Sequence, residues 1–543
     1  MGAAISRHQG QPVAAASGAT RALPMRAVGI LLCLFTVLAV AAALRRGPWL
    51  DEFWTLWFAQ HDLPLLELAR QRWRVDFNPP LFSTLHWLLG LVGGDSLIGH
   101  RLFNLLPLAW AVAFGSVLLR WRPARATFVL VFAVLLFAWP ASIDYFAEAR
   151  SYFAQICLFF VLVAGGFALV DDADDLDWQR DRVPASMFLA TVVLATNLHY
   201  IATLQALILL GPLTLLCLWR GQRRWATALL CALAAALLLL ALYLAYHLQF
   251  LIPASKTYWV TSSVGKALLI FARAVWQCLA AAPLASALAG CALLLTLAAR
   301  VHVRGLAGEA PIFERGFAEA LRAPEARVPR LLLVIAAAAA FAAILLVTHV
   351  VRPLVTERYI VSFQVLIVGT IAALSANAIM SRRLLWSLLL VMALPAVLLH
   401  AYRAQQPQLW DASARLVRER VAACPGSVVH ALVPAPASQP EAEVEVRYWA
   451  HAERARRLGF AVQPMAAGDS RAPTTADPCP TLLWVEHVRI KERPNGATAA
   501  TMLERLQLDA GAVDLARAQV LAGETGYVLV LPARPASAPR TGP

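Results

Sequence analysis

Apolar runs about twenty residues long recur between Ala27 and Ala401, separated by short polar intervals. That length is what an α-helix needs to cross a bilayer. The runs predict spans at 27–44, 96–119, 126–145, 150–170, 184–198, 201–219, 225–249, 281–299, 330–349, 358–378 and 384–402, about eleven in all. Pro80–Gly93 is apolar but meets GGDS before reaching span length, so it reads as re-entrant or surface-lying, and 264–278 reads the same way. Past Ala401 the pattern changes. Helix-like stretches at 412–423 and 443–459 alternate with strand-like runs at 428–433, 481–488 and 526–532, which predicts a small α/β domain.

The ends of the chain fit this division. Residues 1–24 are rich in Ala, Gly, Ser and Gln and are expected to be a disordered cytoplasmic N-terminus. The run Ala27–Leu44 is long for a signal peptide and is followed by Arg45–Arg46, so it reads as an uncleaved anchor. The expected organisation is a membrane domain at 25–402, with a first outer loop at 45–95, and an extracytoplasmic α/β domain at 403–543.

Composition excludes a soluble protein, with 60% apolar and 15% charged residues and a mean hydropathy of +0.63. The net charge of +14 does not point to nucleic acid. With the N-terminus inside, the basic loops RWRPAR (120–125), WRGQRRW (219–225), 300–330 and SRR (381–383) all fall on the inner side. The loop at 171–182 is the exception, and its Asp residues count little for orientation. An odd number of spans then places the C-terminal domain outside, where Cys424 and Cys479 can form a disulfide. The other six cysteines lie in apolar runs and read as small buried hydrophobes. The Ala/Arg-rich composition suits a bacterial inner membrane, with the outer side periplasmic.

This topology gathers unusual polar residues at the outer side. Asp51 and Glu52 follow the first span, and Asp76 and Asn78 precede Pro80–Gly93. Asp144, Glu148, Arg150 and Tyr152 lie at one turn, and His199 and Tyr200 at another. Lys256, His349, Glu357, Arg358 and Tyr359 complete the set. Acids and cations converging at one membrane face suggest a site for a lipid-linked anionic substrate. Trp49, Phe53, Trp54 and Trp57 read as interfacial anchors for the first loop.

The ordered motifs LDEFW (50–54), DFNPPL (76–81), GHRLFNLLP (99–107), EARSY (148–152), HY (199–200) and ERY (357–359) resemble the polyprenyl-phosphate-sugar-dependent membrane glycosyltransferases of the GT-C type. That group holds the protein O-mannosyltransferases and the lipid A aminoarabinose transferases. The resemblance covers about residues 27–400 and implies a GT-C fold. It implies transfer of a sugar from a polyprenyl-phosphate donor to a hydroxyl of a lipid, glycan or protein acceptor, with Asp51 as base and inversion at the anomeric carbon. Arg150, Arg358, Arg101 and Lys256 are the expected phosphate partners. Glu52 is a helper, either a metal ligand or a hydrogen-bond partner. Some relatives use a divalent metal (Mg, Mn or Zn), for which Asp76 with Glu52 or His199 would supply ligands. Asn78 departs from the Lys or His that many relatives carry before Pro-Pro. A transporter or flippase of lipid-linked sugars, and a non-catalytic assembly protein displaying the C-terminal domain, are the other readings. The chain shows no internal repeat to favour the first, and the second leaves the loop motifs without a purpose.

Overall fold

The structure is a computed structural model that describes residues 17–533, apart from 77, 171–174, 255–262, 292, 293, 295–326, 352, 379–381, 407–410, 433–440, 466–471, 473–477, 487–495 and 524. Its membrane part comprises α1 (Ser17–Arg45), α2 (Leu50–Ala59), α3 (Leu65–Gln71), α4 (Leu81–Gly93), α5 (Leu97–Leu102), α6 (Leu105–Trp121), α7 (Ala126–Ala138), α8 (Ala141–Phe146) and α9 (Ser151–Gly165). It continues through α10 (Trp178–Thr196), α11 (Tyr200–Trp219), α12 (Arg223–Ala254), α13 (Val264–Ala281), α14 (Arg327–Val351), α15 (Val361–Ala378) and α16 (Arg382–Gln405).

The chain is a polytopic helical membrane protein. Among the described residues, seven helical stretches are long and apolar enough to cross a bilayer: Val28–Arg45, Leu97–Trp121, Ser151–Val170, Tyr200–Trp219, Arg223–Gln249, Val264–Ala281 and Leu385–Gln405. Four shorter apolar helices, Leu81–Gly93, Ala126–Ala138, Val334–Val350 and Val361–Ala376, accompany them. Helix α9 is buried along its whole length, as a helix apolar on every side must be, and α7 and α15 pack on it.

Several elements differ from the sequence reading. Helix α1 begins at Ser17, inside the segment expected to be disordered, while residues 1–16 lie outside the described residues. The expected span 126–145 stops at Ala138, because Pro140 lacks an N–H and drives Trp139 out of the helical region, at ψ 119°. Helix α13 is one unbroken run of 18 residues rather than a short re-entrant piece. Lys266 and Arg273 lower its mean hydropathy to 1.4, the least of the seven stretches, which hid it. The expected span 184–198 belongs to α10, whose first turns carry Arg180, Asp181 and Arg182, and α10 is in neither group. The expected span 281–299 lies partly outside the described residues.

The C-terminal domain holds α17 (Ala412–Ala423), β1 (Val429–Leu432), α18 (Glu441–Leu458), β2 (Gln463–Pro464), β3 (Thr481–Glu486), α19 (Ala499–Arg505), β4 (Gln519–Ala522) and β5 (Gly526–Leu531). The strands form one sheet in the order β2-β1-β3-β5-β4. β1 pairs in parallel with β2 and β3, and β5 pairs antiparallel with β3 and β4. β3 and β5 are buried at every position, which is why they read as continuous apolar runs rather than alternating ones. Leu482 and Trp484 pack with Ala414, Val417 and Ala455 on one face. Leu483 and Val485 pack with Met502 and Leu503 on the other.

Cys424, at the end of α17, is disulfide-bonded to Cys479, just before β3, across 55 residues of chain. A loop of that size is worth about 4 kcal/mol in the chain-entropy description. Replacing both cysteines by serine is expected to lower the thermal midpoint of this domain and to open residues 412–531 to protease. An unchanged midpoint and cleavage pattern would show that the bond is dispensable.

Candidate active site

Helix α2 starts four residues beyond α1 and carries Asp51 and Glu52 in its first turn, where the helix dipole favours acids. The two adjacent carboxylates meet opposite fates. Glu52 is fully buried, and Arg101 grips it with Nε on Oε1 and Nη2 on Oε2, both at 2.7 Å. The same oxygens accept the backbone N–H of Trp49 at 2.9 Å and of Ala149 at 2.8 Å. Arg101 is equally buried, and its remaining donors reach the carbonyls of Ala43 and Arg46 at 2.8 Å and of Gly47 at 3.1 Å. All five of its N–H groups are engaged. Burial alone would raise the pKa of Glu52, but Arg101 and the two backbone N–H groups hold it below the ordinary carboxylate value. Glu52 thus takes the hydrogen-bond alternative of its two expected roles, and Arg101, expected as a phosphate partner, has all its donors spent on Glu52 and on backbone carbonyls.

Asp51 takes no part in that pair and is half-buried. Among the described residues its carboxylate makes no hydrogen bond or ion pair. Burial raises its pKa, opposed by the fields of Arg150 and Arg358. Arg150 Nη1 donates to the Asp51 carbonyl at 3.2 Å and to the Thr55 hydroxyl at 3.4 Å. Burial opposes the Arg150 charge, but Tyr152, Asp51 and Asp76 around it outweigh that and keep its pKa above the ordinary value. Arg150 forms no ion pair with a carboxylate among the described residues.

The opposite wall comes from other span ends. Asp76 accepts from Asn78 Nδ2 at 3.0 Å and from Ser83 at 3.3 Å. Burial pushes its pKa up from 3.8 to about 6, although Arg150 pulls it down. Because the shift is upward, the stability it carries is whole below pH 3.8 and is lost as pH rises through about 6. His199 caps α11, its Nδ1 accepting from the N–H of Ile201 at 3.2 Å, so the ring proton sits on Nε2. Burial and the Arg150 charge push its pKa to about 3, so it is neutral at pH 7. Its ring lies 5.2 Å from that of Tyr359 and 6.5 Å from that of Tyr152. Tyr200 turns aside, its hydroxyl 3.2 Å from His247, which holds the Arg74 carbonyl at 3.0 Å.

A chain of charges closes the site on its remaining side. Glu148 lies 3.7 Å from Arg46 and 3.6 Å from Arg358, and burial raises its pKa against both arginines. Arg46 also meets Asp144, which is paired with Arg403. The Arg358 guanidinium stacks on Trp49, 3.2 Å from the ring centroid.

Asp51, Asp76, Asn78, Glu148, Arg150, Tyr152, His199, Arg358 and Tyr359 thus come together at one end of the bundle. Lys256 lies outside the described residues. Trp49, Arg46 and Thr55 are parts of the site that the sequence reading assigned elsewhere or passed over. Trp49 and Arg46 were readable only as an interfacial aromatic and as one half of a stop-transfer pair. Phe53 and Trp57 are not membrane anchors: they are buried in a protein cluster with Val446 and Ala450. Among the described residues no three His, Cys, Asp or Glu side chains converge as metal ligands, and the oxygens of Glu52 are taken.

No family model and no curated protein matches the chain. Among solved structures, the apo crystal structure of ArnT from Cupriavidus metallidurans is similar over 94% of this chain and 98% of that one, with a TM-score of 0.51 at 13% identity. The structure of ArnT from Cupriavidus metallidurans bound to undecaprenyl phosphate gives a TM-score of 0.42 at 13% identity, over 93% and 98%. The chain has the GT-C fold. At this identity the likeness speaks to fold alone.

Removing one partner of the Glu52–Arg101 pair leaves a buried charge, at a cost of about 3–5 kcal/mol. Arg101→Gln is expected to cut the yield of folded protein and its thermal midpoint sharply. Asp51→Asn is expected to leave the midpoint unchanged or higher, since burial already disfavours that charge. A wild-type midpoint for Arg101→Gln would contradict the structural assignment.

Proposed function

We propose that the protein is an integral-membrane glycosyltransferase that moves a sugar from a polyprenyl-phosphate donor to an acceptor hydroxyl. One observation carries this reading. Asp51 presents an unengaged carboxylate, its pKa raised by burial, beside the Arg150 and Arg358 guanidinium groups, while the neighbouring Glu52 is wholly occupied in structure. A base next to paired cations suits attack by a hydroxyl with departure of a phosphate. The GT-C fold and the six ordered loop motifs support the same class.

In the proposed reaction Asp51 takes the proton of the acceptor hydroxyl as its oxygen attacks the anomeric carbon. The bond from that carbon to the phosphate oxygen breaks on the opposite face, giving inversion, and the electron pair leaves on the phosphate. Arg150 and Arg358 balance the charge that develops there. Neutral His199 can donate Nε2–H to a sugar oxygen, and Tyr152 and Tyr359 flank it with aromatic surface. The leaving phosphate needs no general acid. The proposed setting is the inner membrane of a bacterium, with the site and the C-terminal domain on the periplasmic side, where the Cys424–Cys479 bond is permitted.

Reconstituted protein supplied with radiolabelled polyprenyl-phosphate sugars is expected to transfer label to acceptor, and Asp51→Asn to lose roughly 10²–10⁴-fold in rate. The wild-type rate is expected to fall on acidification, with a limb above pH 3.8, because the Asp51 pKa is raised. Normal transfer by Asp51→Asn would sink the assignment of the base. Donor that crosses the bilayer without being consumed would favour a flippase.

A further inference from the structure

Helix α18 belongs to the C-terminal sheet domain, yet it faces two ways. Ala455 packs under β3 and β5 with Trp484 and Val528, while Val446 and Ala450 bury against Phe53, Trp57 and Phe58 of α2. Polar contacts follow the same seam. Trp57 Nε1 donates to Glu445 at 3.2 Å. Arg454, fully buried, donates Nε and Nη2 to the Pro48 carbonyl at 3.2 and 2.9 Å. Its charge faces Glu486 at 3.8 Å, so the contact with Pro48 is anchored in the domain's own core. Arg457 donates to the carbonyls of Arg46, of Leu44 at 3.2 Å and of Arg45 at 2.8 Å. These close the last turn of α1, where carbonyls have no helical partner and a cation is favoured. Gly47 lies against the Asp411 carboxylate, into which any added side chain would run.

The link from Leu44 to Leu50 is therefore held twice: by Arg101 from the membrane bundle, and by Arg454 and Arg457 from the C-terminal domain. Asp51 comes three residues after Pro48, and among the described residues its carboxylate makes no hydrogen bond or ion pair. We propose that the C-terminal domain is a positioning element for the site, with Arg454, Arg457 and Glu445 of α18 fixing the placement of the Asp51 loop. The inference rests on the proposed transfer reaction.

Arg454→Ala would strand Glu486 in the domain core and could unfold it, so the informative variants are Arg457→Ala and Glu445→Ala in the full-length protein in lipid. Arg456→Ala is the control. Arg456 is 69% exposed, and among the described residues it pairs only with Glu453, on the same helix. Two readouts are taken: steady-state transfer, and hydrogen exchange over residues 46–59 without substrate. In both variants kcat is expected to fall tenfold or more with the donor KM within twofold, and exchange over 46–59 to accelerate. Arg457→Lys, which can still donate to the α1 carbonyls, is expected to recover most of both, and Arg456→Ala to change neither. Faster exchange with an unchanged kcat would overturn the positioning role, as would unchanged exchange. Faster exchange in a protein whose wild type transfers no sugar would overturn the transferase reading while supporting the domain's hold on the loop.

Discussion

The buried pair of Glu52 and Arg101 is the constraint on which the site is built. Two opposite charges withdrawn from water are stable only when nearly every donor and acceptor is satisfied, and here every one is. Satisfying them draws in the end of α1, the start of α2, α5 and the turn at Ala149. Three stretches distant in sequence, the α1–α2 junction, α5 and the turn at Ala149, are thereby fixed at one point. The requirement commits one of two neighbouring acids, Glu52, to structure, while the Asp51 carboxylate makes no hydrogen bond or ion pair among the described residues. Successive residues in a first helical turn point about 100° apart, so Asp51 does not share the inward direction of Glu52.

Around that anchor the charges form a graded series. Asp144 is shared between Arg46 and Arg403, and Glu148 between Arg46 and Arg358. Arg358 is further held over Trp49. Among the described residues Arg150 hydrogen-bonds a carbonyl and a hydroxyl and forms no ion pair. Arg150, which has no ion pair among the described residues, is also the cation that acts most strongly on the Asp51 carboxylate. In the proposed reaction an anionic group meeting Arg150 would displace no ion pair seen among the described residues. The neutral state of His199 suits the proposed reaction, in which the cations serve the anion and an uncharged donor is left for the sugar.

Much of this was legible in the sequence. Apolar length gave the spans because the bilayer sets it, and the gathering of acids and arginines at one face followed from alternating sidedness. What stayed hidden has physical causes. Glu52 and Arg101 carry the residue types of a reactive site, and only three-dimensional partners show them to be spent on each other. Trp57 and Phe53 look like interfacial aromatics, since periodicity cannot say whether the surface they meet is lipid or α18. Lys266 and Arg273 diluted the hydropathy of α13, while Trp139–Pro140 cut short a run that composition alone would have continued. The role of Arg457 could not be read at all, because its partners are backbone carbonyls, which no sequence pattern marks.

The most direct test of the account separates binding from chemistry. Equilibrium binding of sugar-free polyprenyl phosphate would be measured in lipid nanodiscs for the wild type, Asp51→Asn and Arg150→Gln. Loss of a charge-assisted contact is worth about 1.5–3 kcal/mol, so Arg150→Gln should bind roughly tenfold or more weakly. Asp51→Asn should bind at least as tightly as wild type, since it removes a negative charge beside the phosphate. Wild-type affinity in Arg150→Gln, or loss of binding in Asp51→Asn, would contradict the division of labour that places a free base beside an unpaired cation.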